Sequence, residues 1–401
     1  MKVLVISHMY PSTFNNVYGI FVHEQVKALI KIGTDIKVIS PVPWVPFPIN
    51  RISEKWERYS LIPEYENRDN VSVWYPRSIT FPKALFFEYS GERVYKGIKA
   101  LVKNIYKGYK FDLIHAHVAL PDGYAAMKLA KDFNVPYMVT IHGQDLQQTI
   151  YKNHKCKENI LKVIRSAKKI ILVSNKLKNV IKKYYDDKNN KFKVISNGVN
   201  IRDISIGNDI KKNRAGNKFL LSVSNLIKTK GIDLNIKAFN KLTQKYPNLR
   251  YLIVGNGPER SNLEILSKEL GIKDKIEFLG MLSHEDVMEY MAQANIFSLP
   301  SWNEAFGVVY IEAMAHGKPV IGCKGEGIED FVENGKTGML FNPKDVNSLT
   351  ETMDYLLSNP DKAKEMGERA RKMVLENYTW EKNAEKTNKL YKEVFNKAEN
   401  V

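Results

Sequence analysis

Cysteine is nearly absent: Cys156 and Cys323 are the only two in 401 residues, far apart and without metal-ligand neighbours. That excludes a disulfide framework, and both thiols are expected to stay reduced. Long apolar runs are missing too. No window reaches the roughly 18 residues that a membrane-crossing helix requires, and the N-terminal apolar stretch stops at His8 and Pro11, too short for a secretory signal. The protein is therefore expected to be made and kept in the cytoplasm. Acidic residues are scarce in one half only. Residues 1–200 hold 32 Lys and Arg against 16 Asp and Glu, whereas the remainder is nearly balanced at 29 against 28, within a net charge of +17. Such asymmetry points either to an anionic surface met by the first half or to a simple solubility device.

The apolar content of 44% with 26% charged residues is that of a globular protein, and the length suits two domains of about 200 residues each. KVLVIS (2–7) is a continuous apolar run, as expected of a parallel strand buried on both faces. IKVIS (36–40), VSVWY (71–75), FDLIHAH (111–117), YMVTIHG (137–143), KIILVS (169–174) and FKVIS (192–196) follow. Helical patterns fall between them at 91–108, 123–132, 156–167 and 175–185. The alternation then restarts after a polar linker at 198–217. Strands are expected at 219–224, 249–255, 275–280, 296–300, 318–323 and 338–341, with helices at 231–246, 260–270, 284–293, 307–316 and 326–334. The tail from about 345 to 398 reads helical. The expectation is an α/β chain of two Rossmann-like, doubly wound domains facing a central cleft.

Open α/β sheets take ligands outside the carboxyl ends of their strands. The segment LPSWNEAFGVVYIEAMAHGKPVIGC (299–323) lies there. Glu304 falls in the turn and Glu312 about two turns into the following helix. Ala305, Phe306 and Gly307 would offer free amides at the helix start, where anions and hydroxyl oxygens find donors. Two carboxylates so spaced suit two polyols on either side of a linking phosphate. The plainer reading is a helix N-terminal acid and a solvated helix residue. Upstream, SNLIKTKG (224–231) sets Lys230 beside a helix start, and GNGPER (255–260) repeats that polar, glycine-containing layout after the next strand.

With GIFVHEQ (19–25), IHAHVALPDG (114–123), TIHGQD (140–145), ISNGVN (195–200) and FLG (278–280), these motifs make nearly the whole chain similar to the retaining glycosyltransferases of family 4, which have the GT-B fold. The resemblance implies an acceptor domain over residues 1–200, a nucleotide-sugar domain over 201–375 and a last helix, 376–401, crossing back to the first. It implies that Glu312 holds the donor's ribose and that Glu304 contacts the transferred sugar, helped by the amides of Ala305, Phe306 and Gly307. Lys230 would neutralise the leaving diphosphate, Gly19 would approach it, and His142 would line the sugar and acceptor side. Asp145 falls in the same HGxD pattern with its role open. Asn225 stands where the family commonly has arginine, and Asn200 where it has aspartate, so one diphosphate cation is missing.

No Asp-x-Asp sequence occurs, so the usual chelate for a metal-bound nucleotide sugar is absent. No metal or other cofactor is expected. His115, His117 and His142 at strand ends leave a three-histidine metal site as an alternative. The resemblance favours attack and departure on one face over a double displacement, for which no nucleophilic carboxylate declares itself. The donor is expected to be UDP-linked and the acceptor a lipid-linked or polysaccharide glycan. An epimerase or phosphorylase of the same fold, or a non-catalytic assembly subunit, would share these features; no motif supports nucleic-acid binding. The basic first half, with Val94, Ile98, Leu101 and Ile105 at helical spacing and Lys96, Lys99, Lys103, Lys107 and Lys110 on other faces, suggests peripheral docking on an anionic membrane. The apolar segments 41–48 and 81–89 would assist.

Overall fold

A computed structural model describes residues 1–187, 190–201 and 218–399. Most of the linker expected at 198–217 lies outside them. The chain divides into two compact units, Met1–Asn197 with Trp380–Val401, and Gly198–Thr379.

Unit 1 is built on strands β1 (Lys2–Ile6), β2 (Asp35–Ile39), β3 (Val42–Pro43), β4 (Tyr65–Arg68), β5 (Val71–Trp74), β6 (Arg77–Ser78), β7 (Leu113–His117), β8 (Tyr137–Ile141), β9 (Lys169–Leu172) and β10 (Phe192–Val194). Eight of them form a sheet in the order β10-β9-β8-β7-β1-β2-β5-β4, with β3 and β6 paired separately. Every pairing is parallel except β4 with β5. Val3, Leu4, Val5 and Ile6 of β1 are wholly buried, as a central parallel strand covered on both faces demands. The last helix, Trp380–Glu399, completes this unit. Ala384, Leu390, Tyr391 and Val394 join the core around Val3, Val22 and Leu29. Gln25 donates to Asn383 at 2.6 Å, and Asn383 donates to the Ser196 carbonyl at 2.7 Å.

The helix Ser90–Gly108 turns Val94, Ile98, Val102 and Ile105 inward, while Leu101 is only half-buried. Its Lys96, Lys99, Lys103 and Lys107 are exposed, and Lys99 pairs with Asp132 at 3.0 Å. Among the described residues no helix is long and apolar enough to cross a membrane.

Unit 2 holds β11 (Phe219–Val223), β12 (Arg250–Val254), β13 (Ile276–Gly280), β14 (Ile296–Ser298), β15 (Val320–Cys323) and β16 (Met339–Phe341). They form one parallel sheet in the order β13-β12-β11-β14-β15-β16. A buried polar network ties the helix Ile232–Leu242 to this sheet. Asn235 Nδ2 shares its two hydrogens among Ser222 Oγ (3.0 Å), the Tyr251 hydroxyl (3.1 Å) and the Ser298 carbonyl (2.9 Å), and Ser298 Oγ donates to Asn235 Oδ1 (2.8 Å). A satisfied network of this kind allows one seating of helix on sheet, which fixes where the helix begins. The helix expected over 326–334 is only a 3-10 turn, Gly327–Asp330. Gly327 is pressed so closely on the Ala305 carbonyl that a Cβ would lie 2.2 Å from its oxygen, and the Glu326 side chain turns back toward Glu304.

Candidate functional site

In unit 2 the loops after β11 and β12 interlock. Leu226 N–H donates to the Asn256 carbonyl at 2.9 Å and Glu259 N–H to the Leu226 carbonyl at 3.0 Å. The chain makes a single 3-10 turn at Lys228–Lys230 and enters the helix through Gly231 at φ +67°. Trp302 N–H donates to the Thr229 carbonyl at 2.9 Å, which holds this turn against the loop after β14. Lys230 Nζ thereby comes 2.6 Å from Glu304 Oε2, and Ser301 Oγ lies 3.1 Å from the same oxygen. Lys230 and Glu304 are 24% and 14% exposed, so their charges sit mostly out of water, where electrostatic terms are large.

Gly231 sets this pairing. A Cβ there would lie 2.4 Å from the Pro300 carbonyl oxygen, on a backbone that already favours glycine. Gly231→Ala is expected to cost about 1–3 kcal/mol in urea denaturation; an unchanged midpoint would mean that the 299–302 turn moves aside freely.

Glu304 N–H donates to Glu326 Oε2 at 2.5 Å, and Glu304 C=O accepts from Gly327 N–H at 3.3 Å. The chain then runs through Ala305 and Phe306 to Gly307, at φ +92°, which caps the helix Val308–Ala315. Phe306 is buried against Phe331, with ring centroids 5.1 Å apart. The N–H groups of Ala305, Phe306 and Gly307 make no hydrogen bond among the described residues. Three successive unbonded amides at a helix start are donors for an anion or hydroxyl oxygens. Glu312 is half-buried on that helix, and Asn225 is exposed on the loop after β11.

Gly19 and His142 belong to unit 1. Gly19, at φ +72°, caps the helix Ile20–Lys31, and a Cβ on it would fall 2.3 Å from the Met9 carbonyl, so the loop after β1 is seated on it. His142 Nε2 is 3.0 Å from His117 Nδ1, the two rings being stacked, and Phe21 packs on His142 at 4.6 Å. His115 is held by Tyr391 (2.6 Å) and Thr140 (2.8 Å). Burial holds all three imidazoles neutral, with His115 and His142 pushed down to about 3. Four of the six ring nitrogens are spent on one another and on hydroxyls, His117 Nε2 and His142 Nδ1 are buried without a partner, and no group of three or more metal-ligating side chains occurs among the described residues.

The sequence reading missed two neighbours. Glu326 orients the Glu304 backbone from the loop after β15, where no motif marks it. Asp122, wholly buried after β7, accepts from His8 N–H (3.0 Å) and meets His8 Nδ1 at 2.8 Å. Burial pulls the His8 imidazole down, but Asp122, with Asp145, more than reverses this. Asp145 accepts from Leu120 N–H at 3.2 Å, and burial pushes its carboxyl up to about 7.

Residues 206–373 match the family described as Glycosyl transferases group 1, and residues 19–203 that described as Glycosyltransferase Family 4. The chain is 28% identical to a putative teichuronic acid biosynthesis glycosyltransferase, TuaC, of Bacillus subtilis, over 88% of each chain. It is 30% identical to the N-acetyl-alpha-D-glucosaminyl L-malate synthase of Bacillus anthracis, over 71% of this chain and 75% of that one. Its structure is similar to that of Anabaena Alr3699/HepE in complex with UDP and glucose, with a TM-score of 0.73, 17% identity, and 98% and 100% of the two chains covered. With two parallel-sheet units of matching architecture and both halves of the chain accounted for, this protein belongs to the group 1, family 4 glycosyltransferases of GT-B fold.

Proposed function

We propose that the enzyme transfers a hexose or N-acetylhexosamine from a UDP-linked donor to a lipid-linked or polysaccharide acceptor, with retention of configuration and without a metal ion. The observation that carries this reading is the Lys230–Glu304 pair beside the three unbonded amides of residues 305–307. In this reading the amides and Glu304 receive the sugar's hydroxyls, and Glu312 receives the ribose. Lys230 neutralises the diphosphate as it leaves, with Asn225 adding a hydrogen bond but no charge. For the unit 1 residues the resemblance gives Gly19 a role toward the diphosphate and His142, whose Nδ1 is buried without a partner among the described residues, one toward the acceptor. Without a carboxylate poised as nucleophile, the leaving phosphate takes the acceptor's proton on the face from which it departs.

Alr3699/HepE binds UDP and glucose by its description, which favours a UDP-linked donor, and TuaC's name favours a polysaccharide product. Peripheral attachment to the inner face of the cell membrane belongs to the same reading. It is supported by the exposed lysines of the helix Ser90–Gly108 and by Trp44 and Phe47, 53% and 72% exposed.

A thermal-shift screen of nucleotides in EDTA tests it. UDP at a hundred times its dissociation constant should stabilise the protein by about 2.7 kcal/mol. A shift given by GDP and not UDP would overturn the base assignment, and a shift that requires added manganese would overturn metal independence.

A further inference from the structure

We infer that unit 1 carries a pocket for an anionic amphiphile, a single hydrocarbon chain bearing a phosphate, held by the segment 79–89 and the start of the helix Ser90–Gly108. As the anchoring group of an acceptor, this ligand rests on the function proposed above; its binding does not.

The topology places the pocket. β1 has β2 on one side and β7 on the other, so the strand order reverses between β1 and β7, and a crevice opens beyond their carboxyl ends. His8 and Asp122 span that switch point. A cavity of about 350 Å³ opens there, lined by segments that follow β1, β2, β6 and β7. That is the size of a small-ligand site.

The lining gives the chemistry of the occupant. Phe14, Val42, Tyr59, Ile62, Phe81 and Leu85 contribute apolar walls. Ile79, Phe81 and Leu85 are also 52%, 42% and 56% exposed, so apolar surface continues from the cavity to solvent, as an entering chain requires. His8, Ser12, Asn15 and Thr80 also line it, so the apolar walls are only part of the lining.

Two polar groups on the lining select the head. Ser90 Oγ is buried and has no hydrogen-bond partner among the described residues. Arg93 is fixed by donating to the Ile79 carbonyl (2.9 Å) and the Phe86 carbonyl (3.0 Å), with its guanidinium 5.1 Å from the Phe81 ring. Glu88 acts on it electrostatically, but no carboxylate forms a salt bridge with it among the described residues. A fixed guanidinium without a salt bridge, beside an unsatisfied hydroxyl, suits a phosphate.

The wall carrying these groups is strained. Lys83, Ala84 and Phe86 have φ of +53°, +54° and +53°, a conformation that side chains beyond glycine rarely adopt and that clusters at ligand clamps.

The test is calorimetric titration of the full chain with dodecyl phosphate below its micelle concentration. Saturable one-to-one binding is expected, weakened on the order of tenfold when decyl replaces dodecyl phosphate. Dodecanol and inorganic phosphate should each bind at least about tenfold more weakly than dodecyl phosphate, as loss of either half of the ligand requires. Arg93→Gln should weaken dodecyl phosphate about tenfold and leave dodecanol unchanged, with Arg93→Lys recovering part of the loss. Leu85→Asp, at an exposed position, should weaken both. The UDP thermal shift, recorded on the same samples, should stay the same in every variant; its failure would count against the donor-site reading alone. Absence of saturable binding, equal binding of dodecanol, or unaltered binding by both variants would overturn the inference.

Discussion

Lys230→Ala is expected to slow sugar transfer by on the order of 10²–10³, the scale of losing one preorganised donor to developing charge. The size follows from how few cations the site holds. Asn225 is neutral where arginine is common in the family, and it lies exposed on its loop. Lys230 instead is drawn to 2.6 Å from Glu304 by the turn at Gly231. Truncating the lysine also strips Glu304 of its counter-charge while Ser301 Oγ stays at 3.1 Å, so some loss of stability is expected, and activity must be read on protein shown to be folded. Lys230→Arg, which keeps the charge, should recover part of the rate. A loss under about fivefold in folded Lys230→Ala would mean that another cation, with the exposed Lys228 the nearest in sequence, meets the diphosphate. The two glutamates should divide differently. Glu304→Gln is expected to lower kcat, because its partners change charge during transfer, and Glu312→Gln to raise KM, because the ribose is remote from the reacting bond.

The parallel strands of both sheets were legible in the sequence because a strand covered on both faces must be apolar throughout, as β1 is. Within 41–89 only the strand at 71–75 was, found as β5. The short helix Glu54–Ser60, the antiparallel β4 and the β3–β6 pair are too brief for a period to emerge, and proline interrupts them. The helix expected over 326–334 failed for a tertiary reason: Gly327 and Glu326 are committed to the Ala305 and Glu304 backbone. On the helix Ser90–Gly108 the spacing predicted the buried stripe correctly except for Leu101, where Val102 sits deeper. Lys230 and Glu304, 74 positions apart, could be related before the structure only through the family resemblance; no local rule connects them. His8 and Asp122 were invisible for the same reason, since each alone resembles an ordinary loop residue.

Unit 1 should lose stability, on the order of a few kcal/mol at most, between pH 7.5 and pH 5. His115, His117 and His142 are neutral in the folded protein, because burial lowers all three far below the ordinary 6.5, with His142 further lowering His115 and the other two histidines further lowering His117. Unfolded, they take up protons as pH falls below 6.5, so the unfolded state gains protons that the native state refuses. A folded pKa depressed in this way gives stability that is lost as pH falls through the unfolded value, at up to roughly 2 kcal/mol each for His115 and His142 by pH 5 and with the same sign for His117. Asp145 opposes them. Burial raises its carboxyl to about 7, so between pH 7 and 4 the native state holds the extra proton and stability is regained as pH falls, by under 3 kcal/mol at pH 5. His8, raised because Asp122 outweighs its burial, adds a further gain of the same sign. The three histidines outweigh these gains. Urea unfolding of the full chain, followed by limited proteolysis to resolve unit 1, should show its midpoint falling between pH 7 and 5, with a shallower fall in His142→Asn, which removes one of the three titrations. A midpoint unchanged over that range, or a slope identical in the variant, would mean that the imidazoles accept protons in the folded state.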